Sequence, residues 1–162
     1  KDHHMSEIVV AYYSRTGQTR KVCEKLAGLL GADLEEIGDA KSRRGLLGGL
    51  IAGKDAAFGK STTLTTSHSL EGRKVVVLGT PVWAGGPAPA VQAYLNAVDL
   101  SGVTVFALCT FNGGEGKTFH RIEQFADGRL AGTLALKKPA KDPKLDAKLE
   151  PFAERIRQSA GS

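Results

Sequence analysis

The chain is short of nearly every residue pattern that marks a familiar reactive site. It holds two cysteines, one methionine and one tryptophan among 162 residues. Cys23 lies in a helix pattern and Cys109 at the end of an apolar run, so both read as small packed hydrophobes rather than a disulfide. Neither has an arginine six positions later, which excludes the Cys-x5-Arg phosphatase loop. No apolar run approaches the ~20 residues that cross a bilayer, so stable membrane insertion is not expected. There is no secretory signal either. Lys1–His4 ahead of Met5 reads as a purification-tag remnant, and one domain is expected over residues 5–162, in the cytoplasm.

Nucleotide fingerprints are missing too. Gly114–Thr118 (GEGKT) looks like the end of G-x-x-x-x-G-K-[ST], yet the first glycine would have to be Phe111. Gly59-Lys60-Ser61 fails in the same way at Lys54. No G-x-G-x-x-G follows the first apolar run, and no G-x-S-x-G elbow occurs. Together these absences argue against a nucleoside-triphosphate hydrolase and a serine hydrolase.

Acidic charge is also scarce. Seventeen carboxylates face 22 lysines and arginines, for a net charge of +5. A local excess at Lys137, Lys138, Lys141, Lys144 and Lys148 reads as a solvated face, and without a recognition motif no nucleic-acid partner is expected. A basic field still favours anionic ligands or acidic partners.

What the chain does have is alternation. Ile8–Tyr13, Lys74–Leu78 and Val103–Leu108 are nearly uninterrupted apolar runs, the habit of strands covered on both faces. Gly132–Leu136 is a shorter fourth strand, and Asp33–Ile37 a faint fifth. Between them, Val22, Leu26, Leu29 and Leu30 repeat with helical period and stop at Gly31. Further helices are marked by Val91, Tyr94, Leu95 and Val98, by Phe119, Ile122 and Phe125, and by Leu145, Leu149, Phe152 and Ile156. Pro151 is expected to kink or divide the last one. Strand and helix alternating to the end give an α/β doubly wound sheet with right-handed crossovers.

In such sheets ligands sit beyond the carboxyl ends of the strands. Three loops fall there: Ser14–Thr19, Thr80–Pro89 and Thr110–Lys117. The first, SRTGQT, offers the Ser14, Thr16 and Thr19 hydroxyls and the N–H groups around Gly17, directly before a helix whose N-terminus favours an anion. Thr19 could equally be a plain N-cap. In the second, Trp83 stands among Pro81, Gly85 and Gly86, available to stack on a planar ligand or to fold back over the core. The third is rich in glycine. One stretch breaks the rhythm: Gly38–Gly72 is much longer than a usual connection of ~2–6 residues. Within it Arg43–Phe58 is either a glycine-loosened crossover helix or an apolar flap or docking surface.

SRTGQT after the first strand, TPVWAGG-P after the third and TFNGGEG after the fourth resemble, in order, the three flavin-mononucleotide (FMN) loops of the flavodoxin family. The match spans essentially Ser6–Ser159, and RRGLLGGLIAGKDA resembles a stretch from one bacterial branch of that family. The resemblance implies a flavodoxin-like three-layer α/β/α fold with a five-stranded parallel sheet of order 2-1-3-4-5. It implies FMN as cofactor, with the phosphate at Ser14, Arg15, Thr16, Gly17, Gln18 and Thr19. The flavin ring would be held by Pro81, Val82, Trp83, Ala84 and Gly85, and by Thr110, Phe111, Asn112, Gly113 and Gly114. The tyrosine that many flavodoxins carry in the third loop is absent. Either Phe111 takes its place or that ring face is open to a substrate or partner.

No side chain is implied as a catalytic acid or base, and no metal. The family's peptide reorientation toward flavin N5 would fall on Ala84, Gly85 and Gly86. An electron carrier serving a redox partner protein or a small-molecule donor or acceptor is the favoured reading. An FMN-dependent NAD(P)H:quinone or flavin oxidoreductase is the alternative, and a flavin-free binding module a third. Familiar flavodoxins are acidic; this chain's basic charge implies a different partner or none, and a less negative potential for the second electron.

Overall fold

A computed structural model describes residues 5–38 and 68–161 of the chain. Lys1–His4 and Arg43–Phe58, with the readings made of them, lie outside the described residues. Strand β1 (Ile8–Tyr12) leads to helix α1 (Gln18–Leu30) and strand β2 (Asp33–Glu36). Then come β3 (Val75–Trp83), the two-residue β4 (Gly86–Pro87) and α2 (Pro89–Ala97). The chain ends with β5 (Thr104–Phe111), α3 (Thr118–Phe125), β6 (Leu130–Lys137) and α4 (Leu145–Gly161).

Five of the strands are parallel and run β2-β1-β3-β5-β6 across the sheet; β4 folds back antiparallel on the end of β3. Counting the parallel strands alone, this is the order 2-1-3-4-5, and the fold is flavodoxin-like. The apolar runs are buried on both faces because helices cover both. Ile8, Val10, Val75, Val77, Phe106 and Leu108 pack against α1 and α4. The alternate residues Val9, Ala11, Val76, Leu78, Val105 and Ala107 pack against α2 and α3.

The faint fifth strand is real. It lies at the sheet edge, beside β1, where half its residues face water and its apolar signal is diluted. α1 stops where expected, at Gly31, whose φ of 62° is left-handed and whose N–H bonds back to Ala27. Pro151 does not divide α4, which runs unbroken through this exposed residue. Among the described residues, no helix is long and apolar enough to cross a membrane.

A further correction concerns the strand ends. β3 and β5 continue past the apolar cores to Trp83 and Phe111 and remain paired up to Pro81↔Thr110. Pro81, Val82, Trp83, Thr110 and Phe111 are therefore strand residues and not free loop. Polarity rises there while pairing continues, so composition alone ended the strands too early.

Candidate functional site

Parallel strands bring the ends of β1, β3 and β5 to one edge, and local chemistry then ties the three segments together. In the first, Ser14 Oγ accepts from the N–H groups of Gly17 (3.1 Å) and Arg20 (3.2 Å). Ser14 thus caps the helix from outside, and Gly17, at φ 99°, takes the N-cap position itself. Gly17 has open space where a Cβ would stand, but at this φ any other residue would be strained. Among the described residues, the N–H groups of Gln18 and Thr19 find no partner. Arg15 and Thr16 are exposed, and Gln18 is half-buried.

Thr19 is placed differently from either expectation. It is the second residue of α1, not its cap, and its side chain is buried. Its hydroxyl is hydrogen-bonded at 2.8 Å to the hydroxyl of Thr110, also buried. That bond joins the first segment to the third and withdraws the Thr19 hydroxyl from solvent. Only its backbone N–H remains to offer.

The second segment is a hairpin. β3 and β4 pair Trp83 with Gly86 around Ala84 (φ 51°) and Gly85 (φ 76°). Two consecutive left-handed residues in a two-residue turn match the primed hairpin geometry, with Ala84 carrying the strain of a Cβ there. The third segment holds this turn in place: the Lys117 N–H donates to the Gly85 carbonyl at 2.7 Å. A Cβ on Gly116 would stand 2.7 Å from Gly85 backbone atoms, so only glycine permits that approach. Inside the bend, Thr80 Oγ1 accepts from the Ala88 N–H (2.9 Å) and donates to the Pro81 carbonyl (2.8 Å).

Trp83 is half-buried, and of the two readings of it the packing over the core is the one seen. It packs against the α2–α3 side of the core and still reaches the site edge. Tyr13 meets it edge-on at 5.6 Å, and the Arg15 guanidinium stands over its ring at 5.3 Å. The latter cation–π contact closes the triangle by joining first segment to second. Phe111 and Val82 are half-buried; Asn112, Gly113 and Gly114 are exposed beside them.

All sixteen anticipated residues thus lie at one edge. Sequence reasoning missed the fasteners: Thr80, Gly79, Gly116 and the Lys117 N–H. A Cβ on Gly79 would collide with Cys23 Sγ, so this glycine lets α1 press onto β3 directly beneath Thr19. A glycine inside an apolar strand was the one signal available for it.

Both thiols are buried. Burial, then the Glu115 carboxylate, pushes the Cys109 thiol up to about 12, and burial, then Glu24, raises Cys23 as well. Nor does a metal site form: among the described residues, no three His, Cys, Asp or Glu side chains gather to hold one. The edge therefore offers backbone donors, hydroxyls, an aromatic face and cations. That equipment suits an anionic, planar molecule.

No protein-family model and no curated protein sequence matches the chain. Solved structures do. A protein assigned as a flavoprotein from Bacteroides uniformis is 15% identical, with 93% of this chain and 99% of that one aligned at a TM-score of 0.72. A flavoprotein from Lactobacillus acidophilus, in complex with FMN, is 21% identical over 87% and 97% of the two chains, TM-score 0.59. A flavodoxin from the domain Archaea is 11% identical over 96% and 99%, TM-score 0.62. An NADH:FMN oxidoreductase shares the fold as well, 14% identical over 96% and 90%, TM-score 0.61. At these identities the likeness establishes the fold, which carriers and enzymes share.

Proposed function

We propose that this edge binds FMN and that the protein carries electrons. The observation that supports it most is the closure of three distant segments into one cradle: Thr19 to Thr110, Lys117 to Gly85, and Arg15 over Trp83. The phosphate end would use the Gln18 and Thr19 N–H groups, Ser14 and Thr16, at a helix N-terminus with no carboxylate among the residues Ser14–Thr19. The ring would lie between Trp83 and the Phe111–Gly114 strand end. FMN, when bound, supplies one- or two-electron transfer.

The chain's own groups fit that cofactor. Gly17 leaves room for close backbone approach, and Arg15 brings a positive charge to both the phosphate loop and the aromatic face. Ala84 and Gly85 hold a strained turn whose central peptide can flip to present a different backbone group. The carrier is the simpler reading; a hydride-accepting oxidoreductase needs no protein acid or base either, and the reaction with NADH separates the two.

Thr16 is exposed beside Gly17, so Thr16→Glu places a carboxylate where the phosphate is expected without disturbing the core. FMN titration, read by absorbance near 450 nm and by flavin fluorescence, should show saturable binding to the unaltered protein. The variant should lose that binding and unfold at the same temperature. Equal affinity in both would remove the phosphate from this loop. Rapid bleaching of the bound flavin by NADH alone, with turnover on a quinone, would select the oxidoreductase.

A further inference from the structure

The charge on this molecule is not spread evenly over its two edges. Around the site, residues 13–21, 36–38, 79–90, 110–121 and 137–142 contain eight lysines and arginines against three carboxylates. One of the three, Asp142, is already bonded to Lys148 at 2.6 Å. The eight cations are exposed, and among the described residues none is in an ion pair. At the opposite edge Arg73 is paired with Asp33 and Lys74 with Glu7, while Arg129 donates to the Leu100 carbonyl.

Contacts place four of these cations around the site. Arg15 stands over Trp83 from the β1 side. Arg121 lies against Gly86, with a guanidinium nitrogen 2.9 Å from where a Cβ would be, and Lys117 is bonded to Gly85 from the same side. Lys138 is hung on the Phe111 carbonyl through its N–H (2.8 Å), beyond β5. The hairpin segment within the rim is uncharged: residues 79–97 contain no ionisable side chain except the buried Tyr94, and the nearest carboxylate in the third segment is the exposed Glu115. A neutral, aromatic centre inside a ring of unpaired charge has the anatomy of a protein interface. A small anion would need a compact cluster; a nucleic acid would call for a continuous stripe.

We propose that this rim docks an acidic protein, one that presents carboxylates around its own exposed redox centre. The inference rests on the electron-carrier reading. Unpaired exposed cations lose little by desolvation at a rim, steer the encounter and fix its orientation. The neutral centre then lets the two redox groups approach without burying charge.

The test uses the full chain, isotopically labelled, titrated in separate NMR experiments with an acidic [2Fe–2S] ferredoxin, basic cytochrome c and a DNA duplex. Ferredoxin should shift amides of the first loop, the Ala84–Gly85 turn and residues 117–121 and 137–141, saturably at about 20 mM salt. Raising salt to about 200 mM should abolish most of the effect. Arg121→Glu with Lys138→Glu should weaken the complex about tenfold at low salt; Arg121→Gln with Lys138→Gln is the milder pair if the reversal fails to fold. Absence of saturable shifts, shifts on another face, or equal binding of cytochrome c would overturn the proposal. Tighter binding of the duplex on the same rim would overturn it in favour of a nucleic-acid surface. FMN occupancy is read by absorbance in the same sample, so a protein that binds flavin but not ferredoxin sinks this inference alone.

Discussion

The Thr19–Thr110 pair offers a sharp test because structure and sequence assign Thr19 different work. If its hydroxyl contacted the ligand, Thr19→Val would cost a charge-assisted hydrogen bond, about 1.5–3 kcal/mol, or at least tenfold in FMN affinity. The structure instead buries that hydroxyl against Thr110 at 2.8 Å. Replacing either threonine by valine then strands the other hydroxyl in the core, at about 1–3 kcal/mol. For a domain of this size that is a fall in Tm of about 3–9 °C. The double variant removes both polar groups and keeps their shapes, so its loss should be smaller than the sum by about 1–2 kcal/mol. FMN affinity of the double variant should stay within about threefold, since the Thr19 N–H is untouched. Calorimetric melting of the four proteins and fluorescence titration with FMN give both readouts. Additive Tm losses would mean the hydroxyl pair is not formed. Tenfold weaker FMN in the double variant would return Thr19 to direct contact with the ligand.

Other perturbations probe the fasteners and the thiols. Gly116→Ala adds a Cβ 2.7 Å from the Gly85 backbone at φ 56°, where no side-chain rotation relieves it. It should lower stability by about 2–4 kcal/mol and weaken FMN by displacing the turn; an unchanged melting curve would refute the clamp. Gly79→Ala should cost about 1–3 kcal/mol by driving its methyl into Cys23 Sγ, and adding Cys23→Ala should recover most of it. Failure of the second change to rescue the first would show that the strain lies elsewhere. Cys109 keeps its proton in the folded state up to about 12, against an ordinary 9.0. Its contribution is fully present below pH 9 and lost as pH rises toward about 12, because only the unfolded state releases the proton in that window. Thermal unfolding should show Tm falling with pH above about 9, less steeply in Cys109→Ala; identical slopes would place the alkaline loss on other groups.

By itself the sequence determined the layered fold and the edge on which a ligand would sit. Uninterrupted runs such as Val75–Leu78 require cover on both faces, and helical repeats between them supply it. Gly31 ended α1 as expected, for the local reason that a left-handed cap suits glycine. Those are short-range properties, carried by residues a few positions apart. The sequence could not show that Pro81 and Trp83 still belong to a strand, since the pairing that holds them is with Thr110 and Gly86. Nor could it show that Thr19 spends its hydroxyl on a residue 91 positions away, or that Gly116 exists to admit Gly85. Charge followed the same division. Composition made the protein basic, but only the parallel sheet gathered eight exposed cations, none of them in an ion pair among the described residues, at one edge. Long-range contact decides which polar groups are consumed in holding a site together and which are left to meet a ligand.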